Sequence, residues 1–97
     1  MTIAQFQKLI ELIYFSRDSE RGIDANFLWF IEEVGELSRA IKRGTPEEQA
    51  GEFADVLAWL TTMASIQGID LEATVKAKYE GGCPKCGGCP CRCGSDG

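Results

Sequence analysis

Apolar positions recur in four stretches of the chain, and their spacing is helical throughout. Ile3, Phe6, Leu9, Ile10 and Ile13 fall three or four residues apart, on one face of an amphipathic helix. Thr2 and Gln5 stand at its head as a capping box, the hydroxyl serving one orphan N–H and the amide another. This helix is predicted over about 3–17, because Ser16 to Gly22 is polar and reads as a loop. Asp24 or Asn26 is then placed to cap a second helix over about 26–43. Phe27, Phe30, Ile31, Val34, Leu37 and Ile41 form its apolar side. Lys42 and Arg43 suit the negative end of its dipole, and Gly44 is its stop.

Thr45-Pro46-Glu47-Glu48 is the clearest local signal: a cap, a proline at the first helical position and a capping-box glutamate. The third helix is predicted over about 46–67, ending at Gly68. From Phe53 to Ile66 it is apolar nearly all round, apart from Asp55 and small hydroxyl residues. Such a helix is buried on most sides, and the other helices of so short a chain do not suffice to cover it. A second subunit is therefore expected, in a homodimer or homotetramer. Asp70 caps a fourth helix over about 71–80. With no strand alternation and no internal repeat, the predicted class is all-α. A four-helix bundle-like domain spans 1–80, with a Cys/Gly-rich tail over 81–97.

Composition narrows the chemistry. The chain of 97 residues is one domain, and beyond Gly81 it has no large aliphatic or aromatic side chain. A core built from the remainder is marginal alone, which again favours oligomerisation. The net charge is −5 and the pI about 4.6, which argues against a nucleic-acid partner held by its phosphate backbone. Histidine is absent, which removes Ser/His/Asp and Cys/His catalysis and His-ligated zinc. Residues 1–15 lack the basic start and continuous apolar core of a signal peptide. The run from Phe53 to Ile66 is too short to span a membrane. No membrane association and a cytoplasmic setting are expected.

The second and third helices carry the unusual feature. Glu33 and Glu36 share a helix face at i,i+3, and so do Glu52 and Asp55. Packing the two helices together converges four carboxylates. For isolated glutamates a solvated face is the commoner outcome. Here Asp55 lies within the most apolar helix, where an unpaired carboxylate is costly. A lysine or arginine is one partner for it. Oxygen ligands in doubled acidic pairs suit Mg²⁺ better, with Mn²⁺ the alternative. The second pair falls in the first turns of its helix, so the cluster is expected toward one end of the bundle.

Glu32-Glu33-x-x-Glu36 followed by Glu52-x-x-Asp55 resembles the signature of MazG-like nucleotide pyrophosphohydrolases, of the all-α NTP pyrophosphatase group. The apolar run that follows, then Gly68-Ile69-Asp70-Leu71-Glu72 and a last helix with Lys76 and Lys78, extend the resemblance over about residues 3–80. It implies hydrolysis of a nucleoside triphosphate, including non-standard or excess dNTPs, to the monophosphate and pyrophosphate. It also implies Glu33, Glu36, Glu52 and Asp55 as Mg²⁺ ligands, and Glu32 as a group that orients the attacking water or takes its proton. Lys76 and Lys78 are candidate phosphate contacts, with Arg39, Lys42 and Arg43 behind them. Trp29 and Trp59 can stack on a base, although aromatics at helical spacing more often serve the core.

The tail reads separately. Cys83-Pro84-Lys85-Cys86-Gly87 is a half-site for tetrahedral zinc, and Cys89, Cys91 and Cys93 follow within a few residues. The long spacer of a zinc ribbon is missing. A compact Zn²⁺ or other soft-metal site and a flexible thiol-rich tail both fit. The reading from another functional class is a non-catalytic helical dimerisation module with a zinc-binding tail. The acidic spacing argues against it, since such a module has no use for Asp55 in its most apolar helix.

Overall fold

The helix boundaries trace to named capping groups. The computed structural model describes residues 1–94; positions 95–97 of the predicted tail lie outside the described residues. The helices are α1 (Ile3–Arg21), α2 (Ile23–Arg43), α3 (Pro46–Ile66) and α4 (Leu71–Tyr79). No strand occurs among the described residues, so the chain is all-α, as its periodicity predicts.

Both capping boxes form. Thr2 Oγ1 accepts from Gln5 N at 3.0 Å and Gln5 Oε1 from Thr2 N at 2.8 Å. Thr45 Oγ1 accepts from Glu48 N at 3.2 Å and Glu48 Oε1 from Thr45 N at 3.0 Å. Each cap is worth about 1 kcal/mol. Asp70 caps α4 by accepting from Ala73 N at 3.1 Å. At the end of α3, Gly68 N donates to Ser65 O and Ile69 N to Ala64 O, a Schellman arrangement. It requires the left-handed φ of 72° that Gly68 adopts without a Cβ penalty.

The predicted loop at 16–22 is corrected: α1 continues through Arg21, and Gly22 alone, with φ 90°, breaks the chain between α1 and α2. Ser16, Arg17, Ser19 and Glu20 are exposed, but one polar residue of this stretch is not. Asp18 is only 4% exposed and accepts from Thr62 Oγ1 of α3 at 3.1 Å and from Arg21 Nη1 at 3.3 Å. A helical turn is what points Asp18 at α3. The predicted cap of α2 is corrected too. The N-cap is Gly22, with no side-chain cap, and Asn26 lies inside the first turn. Asn26 is fully buried, and its Nδ2 donates to Asp18 O at 2.7 Å and Gly22 O at 2.6 Å. It gives each of these carbonyls at the α1–α2 junction a second donor, beside the backbone N–H groups of Gly22 and Asn26.

The third helix is central, packed between α1 and α2, while α4 lies against α1. Gln7 fixes that last contact: Nε2 donates to Ser65 Oγ and Ile69 O, and Oε1 accepts from Leu71 N. The only apolar side chains buried among the described residues are Ile10, Met63 and Ala64. In a single chain α3 is buried only at Thr61–Ala64, while Phe53, Leu57 and Leu60 are 41–56% exposed. The radius of gyration is 15.8 Å, against about 12–13 Å for a compact domain of this length. Among the described residues no helix is long and apolar enough to cross a membrane.

Candidate functional site

The seam between α2 and α3 gathers the acidic residues. Glu33 and Glu36 are one turn apart in mid-α2, and Glu52 lies in the second turn of α3. Carboxylate oxygens of Glu33, Glu36 and Glu52 all lie within 4.8 Å of one another. The ion pairs of the described residues, Arg21–Asp18 and Lys76–Glu80, lie elsewhere. Oε2 of Glu33 and Oε2 of Glu52 are buried and meet no hydrogen-bond donor. An unpaired buried acceptor costs about 1–3 kcal/mol. Burial pushes the Glu33 carboxyl above its ordinary value, and the negative charges of Glu36, Asp55 and Glu52 push it further. A set of oxygen donors with buried, unsatisfied lone pairs fits a hard divalent cation such as Mg²⁺.

The predicted burial of Asp55 is corrected. Asp55 is exposed and stands outside the group of three. The α3 surface around it is left open in a single chain, where it lines a recess of about 160 Å³ with Tyr14, Arg17, Asp18, Trp59 and Thr62. The buried oxygens belong instead to Glu33 and Glu52, although the Asp55 charge still acts on Glu33. Glu32 is exposed and also outside the group.

An open cleft of about 550 Å³ adjoins the carboxylates, lined by Glu36, Glu52, Arg39, Arg43 and Glu48. Its cations are Arg39 and Arg43, one and two turns beyond Glu36. Their spacing was the available signal, since residues 36, 39 and 43 fall on one helix face. Lys76 and Lys78 sit on α4, which packs on α1. Lys76 pairs with Glu80 at 3.9 Å, and Lys78 lies over the Tyr79 ring at 5.7 Å. Trp29 and Trp59 stack on each other, with ring centroids 6.2 Å apart and planes 13° from parallel. Arg21 covers the Trp59 ring at 5.6 Å, so the pair fastens α2 to α3.

Residues 21–87 match the MazG nucleotide pyrophosphohydrolase domain, well over half the chain. The chain belongs to this family. The MazG match takes in all of α2, α3 and α4, and with them the three converging carboxylates and the arginine-lined cleft. No curated protein matches the chain. The MazG region also reaches the first two tail cysteines, Cys83 and Cys86. Cys83, Cys86, Cys91 and Cys93 form a second cluster, with sulfurs within 4.8 Å of one another. All five cysteines are free, and Cys89 is exposed and outside the cluster. Backbone N–H groups of Arg92 and Gly88 pull the Cys86 thiol down to about 6.

Proposed function

We propose that this chain hydrolyses nucleoside triphosphates between the α- and β-phosphates, releasing a monophosphate and pyrophosphate, with a divalent cation held in the α2–α3 seam. The observation that carries the reading is the pair of buried, donor-less oxygens on Glu33 and Glu52 beside the Glu36 carboxylate. Side chains that leave such groups unpaired in the bare protein are satisfied on loading with Mg²⁺ or Mn²⁺. Glu33, Glu36 and Glu52 hold the cation in this proposal, and Asp55, one turn beyond Glu52, is the remaining acid of the set. When bound, the cation screens the charge of the triphosphate and acidifies a water near the reacting phosphorus. Glu32, exposed beside the seam, is the proposed acceptor of that water's proton.

Arg39 and Arg43 line the adjoining cleft, and their guanidinium forks suit phosphate oxygens. Lys76 and Lys78 act on phosphate only in an assembly that brings α4 of a second copy to this seam. Such an assembly, a homodimer or homotetramer, is supported by the exposed Phe53, Leu57 and Leu60 and by the small single-chain core. Residues 1–80 form the catalytic unit of this scheme and 81–97 an appendage. Non-standard or excess dNTPs are the proposed substrates, and free thiols together with a nucleotide substrate fit a cytoplasmic setting. A purely structural helical module leaves the buried Glu33 and Glu52 oxygens unexplained.

The test is a panel of standard and modified (d)NTPs with Mg²⁺, run on the native chain and on Glu52→Gln. The reading expects pyrophosphate release from at least one triphosphate and a loss of about 100-fold or more in the folded variant. Equal activity in the two proteins refutes the assignment of the seam.

A further inference from the structure

The tail beyond α4 has no large aliphatic or aromatic side chain with which to build a core, yet its described residues fold back on themselves. Cys83 N donates to Gly88 O at 3.0 Å and Gly87 N to Cys83 O at 2.7 Å, closing a tight loop. The loop leaves no room for side chains at two glycines. A Cβ on Gly82 meets Gly87 O at 2.7 Å, and one on Gly88 meets Pro90 O at 2.6 Å. Among the described residues, its hydrogen bonds run within the tail or back to the last turn of α4, as with Gly82 N to Tyr79 O. Something other than hydrophobic burial must hold such a segment in one shape.

The sulfurs supply the answer. Cys83 Sγ lies 3.8 Å from Cys93 Sγ and 3.6 Å from Cys91 Sγ, and Cys86 Sγ lies 3.9 Å from Cys91 Sγ. A disulfide holds its sulfurs at about 2.05 Å, so these separations are far too long for one. A tetrahedron with Zn–S bonds of about 2.3 Å has S···S edges of about 3.8 Å, close to these three separations, and all four sulfurs lie within 4.8 Å of one another. Backbone N–H groups also point at the sulfurs. Gly88 N and Arg92 N donate to Cys86 Sγ at 3.4 and 3.2 Å, and Cys93 N to Cys91 Sγ at 3.3 Å. These donors favour thiolates, the form that binds metal.

We propose that Cys83, Cys86, Cys91 and Cys93 form a closed tetrathiolate site for Zn²⁺, with Cys89 left outside it. Soft ligands in a tetrahedral set exclude Mg²⁺, Mn²⁺ and Ca²⁺. Binding is a coordination step without redox change: four thiols give up four protons and four thiolates close on one Zn²⁺. The filled site carries two net negative charges, which Lys85 and Arg92 of the same loop partly offset. Four protein ligands leave no position for water or substrate, so the metal is structural. It orders the tail after α4, and the acidic seam is not needed for it.

The experiment uses the full chain, refolded with Zn²⁺ under reducing conditions, with zinc measured by mass spectrometry after desalting. One zinc per chain is expected in the native protein, in Cys89→Ser and in Glu52→Gln, and at least a tenfold drop in occupancy in Cys86→Ser and Cys91→Ser. Co²⁺ substitution should give the intense visible bands of a tetrahedral thiolate site in the first three proteins and not in the last two. Far-UV circular dichroism should show all five equally helical, because the four helices do not depend on the tail. Zinc lost from Cys89→Ser, zinc retained in Cys86→Ser, iron in place of zinc, or no metal in the native chain overturns the proposal.

Discussion

Glu33 of α2 and Glu52 of α3 meet across the helix seam, each with its Oε2 buried and without a hydrogen-bond donor. Glu36 adds a third carboxylate to the same point. Two helices that pack this way press like charges together, a cost that the proposed cation, or a proton on Glu33, would relieve.

Metal binding should therefore be readable as stability. Mg²⁺ or Mn²⁺ is expected to raise the melting temperature of the native chain and to leave that of Glu33→Gln nearly unchanged. In EDTA the variant should melt higher than the native protein, by about 1–4 °C, a fraction of a kcal/mol in a domain this small. Differential scanning fluorimetry with and without EDTA checks both statements.

The sign of the pH dependence follows from Glu33. Its folded-state value is raised above the ordinary 4.5. The stability its protonated form contributes is complete below that ordinary value and is lost as pH rises through the raised one. The metal-free protein should thus gain stability as pH falls from neutrality toward that ordinary value, and Glu33→Gln should lose that slope. Glu48 works in the opposite sense, because Thr45 holds its value below 4.5, and so it acts only at lower pH. Thermal melts in EDTA across this range measure the effect.

Arg39 and Arg43 should separate binding from chemistry. Arg43→Ala is expected to raise KM for the triphosphate about tenfold, the scale of one charge-assisted hydrogen bond, with a smaller change in kcat. Arg39→Ala should act in the same direction. Steady-state kinetics at saturating Mg²⁺ decide the matter, and unchanged KM in both variants excludes the cleft as the phosphate site.

Asn26 is a stability prediction apart from catalysis. Asn26→Ala removes the side-chain donor to two carbonyls at the α1–α2 junction and one of the two acceptors of Arg21. The expected cost is about 2 kcal/mol, or a fall in melting temperature on the order of 10 °C. Chemical denaturation of the two proteins measures it.

An exposed apolar α3 predicts self-association. Leu57→Glu and Leu60→Glu should convert an oligomer to a monomer in light scattering, whereas a native chain that is already monomeric at micromolar concentration contradicts the proposed assembly.

Helix existence and most ends were legible because their signals are local. Thr2–Gln5, Thr45–Glu48, Asp70 and Gly68 each act within a few residues of sequence. The stretch from Ser16 to Gly22 was not, because Asp18 is held by Thr62 from another helix and Asn26 by carbonyls of α1. Such partners leave no trace in local composition. At the site, i,i+3 spacing placed Glu33 and Glu36 on one helix face and also put Glu52 and Asp55 together. Only the packing of α2 on α3 separates them, turning Glu52 into the seam and leaving Asp55 exposed. Hydrophobicity along α3 suggested the reverse, because it reports how apolar a helix is and not which side is covered within one chain. Arg39 and Arg43 ranked behind Lys76 and Lys78 for a related reason: the sequence does not say which cations the packing of α2 on α3 leaves beside the carboxylates.

The most direct measurement is phosphorus NMR of a nucleoside triphosphate incubated with the native chain and Mg²⁺ in ¹⁸O-labelled water. The account predicts monophosphate and pyrophosphate in equal amounts, loss of turnover in EDTA and in Glu52→Gln, and dependence of the rate on the divalent cation. Inorganic phosphate and a nucleoside diphosphate as products, or turnover that survives both EDTA and Glu52→Gln, contradicts it.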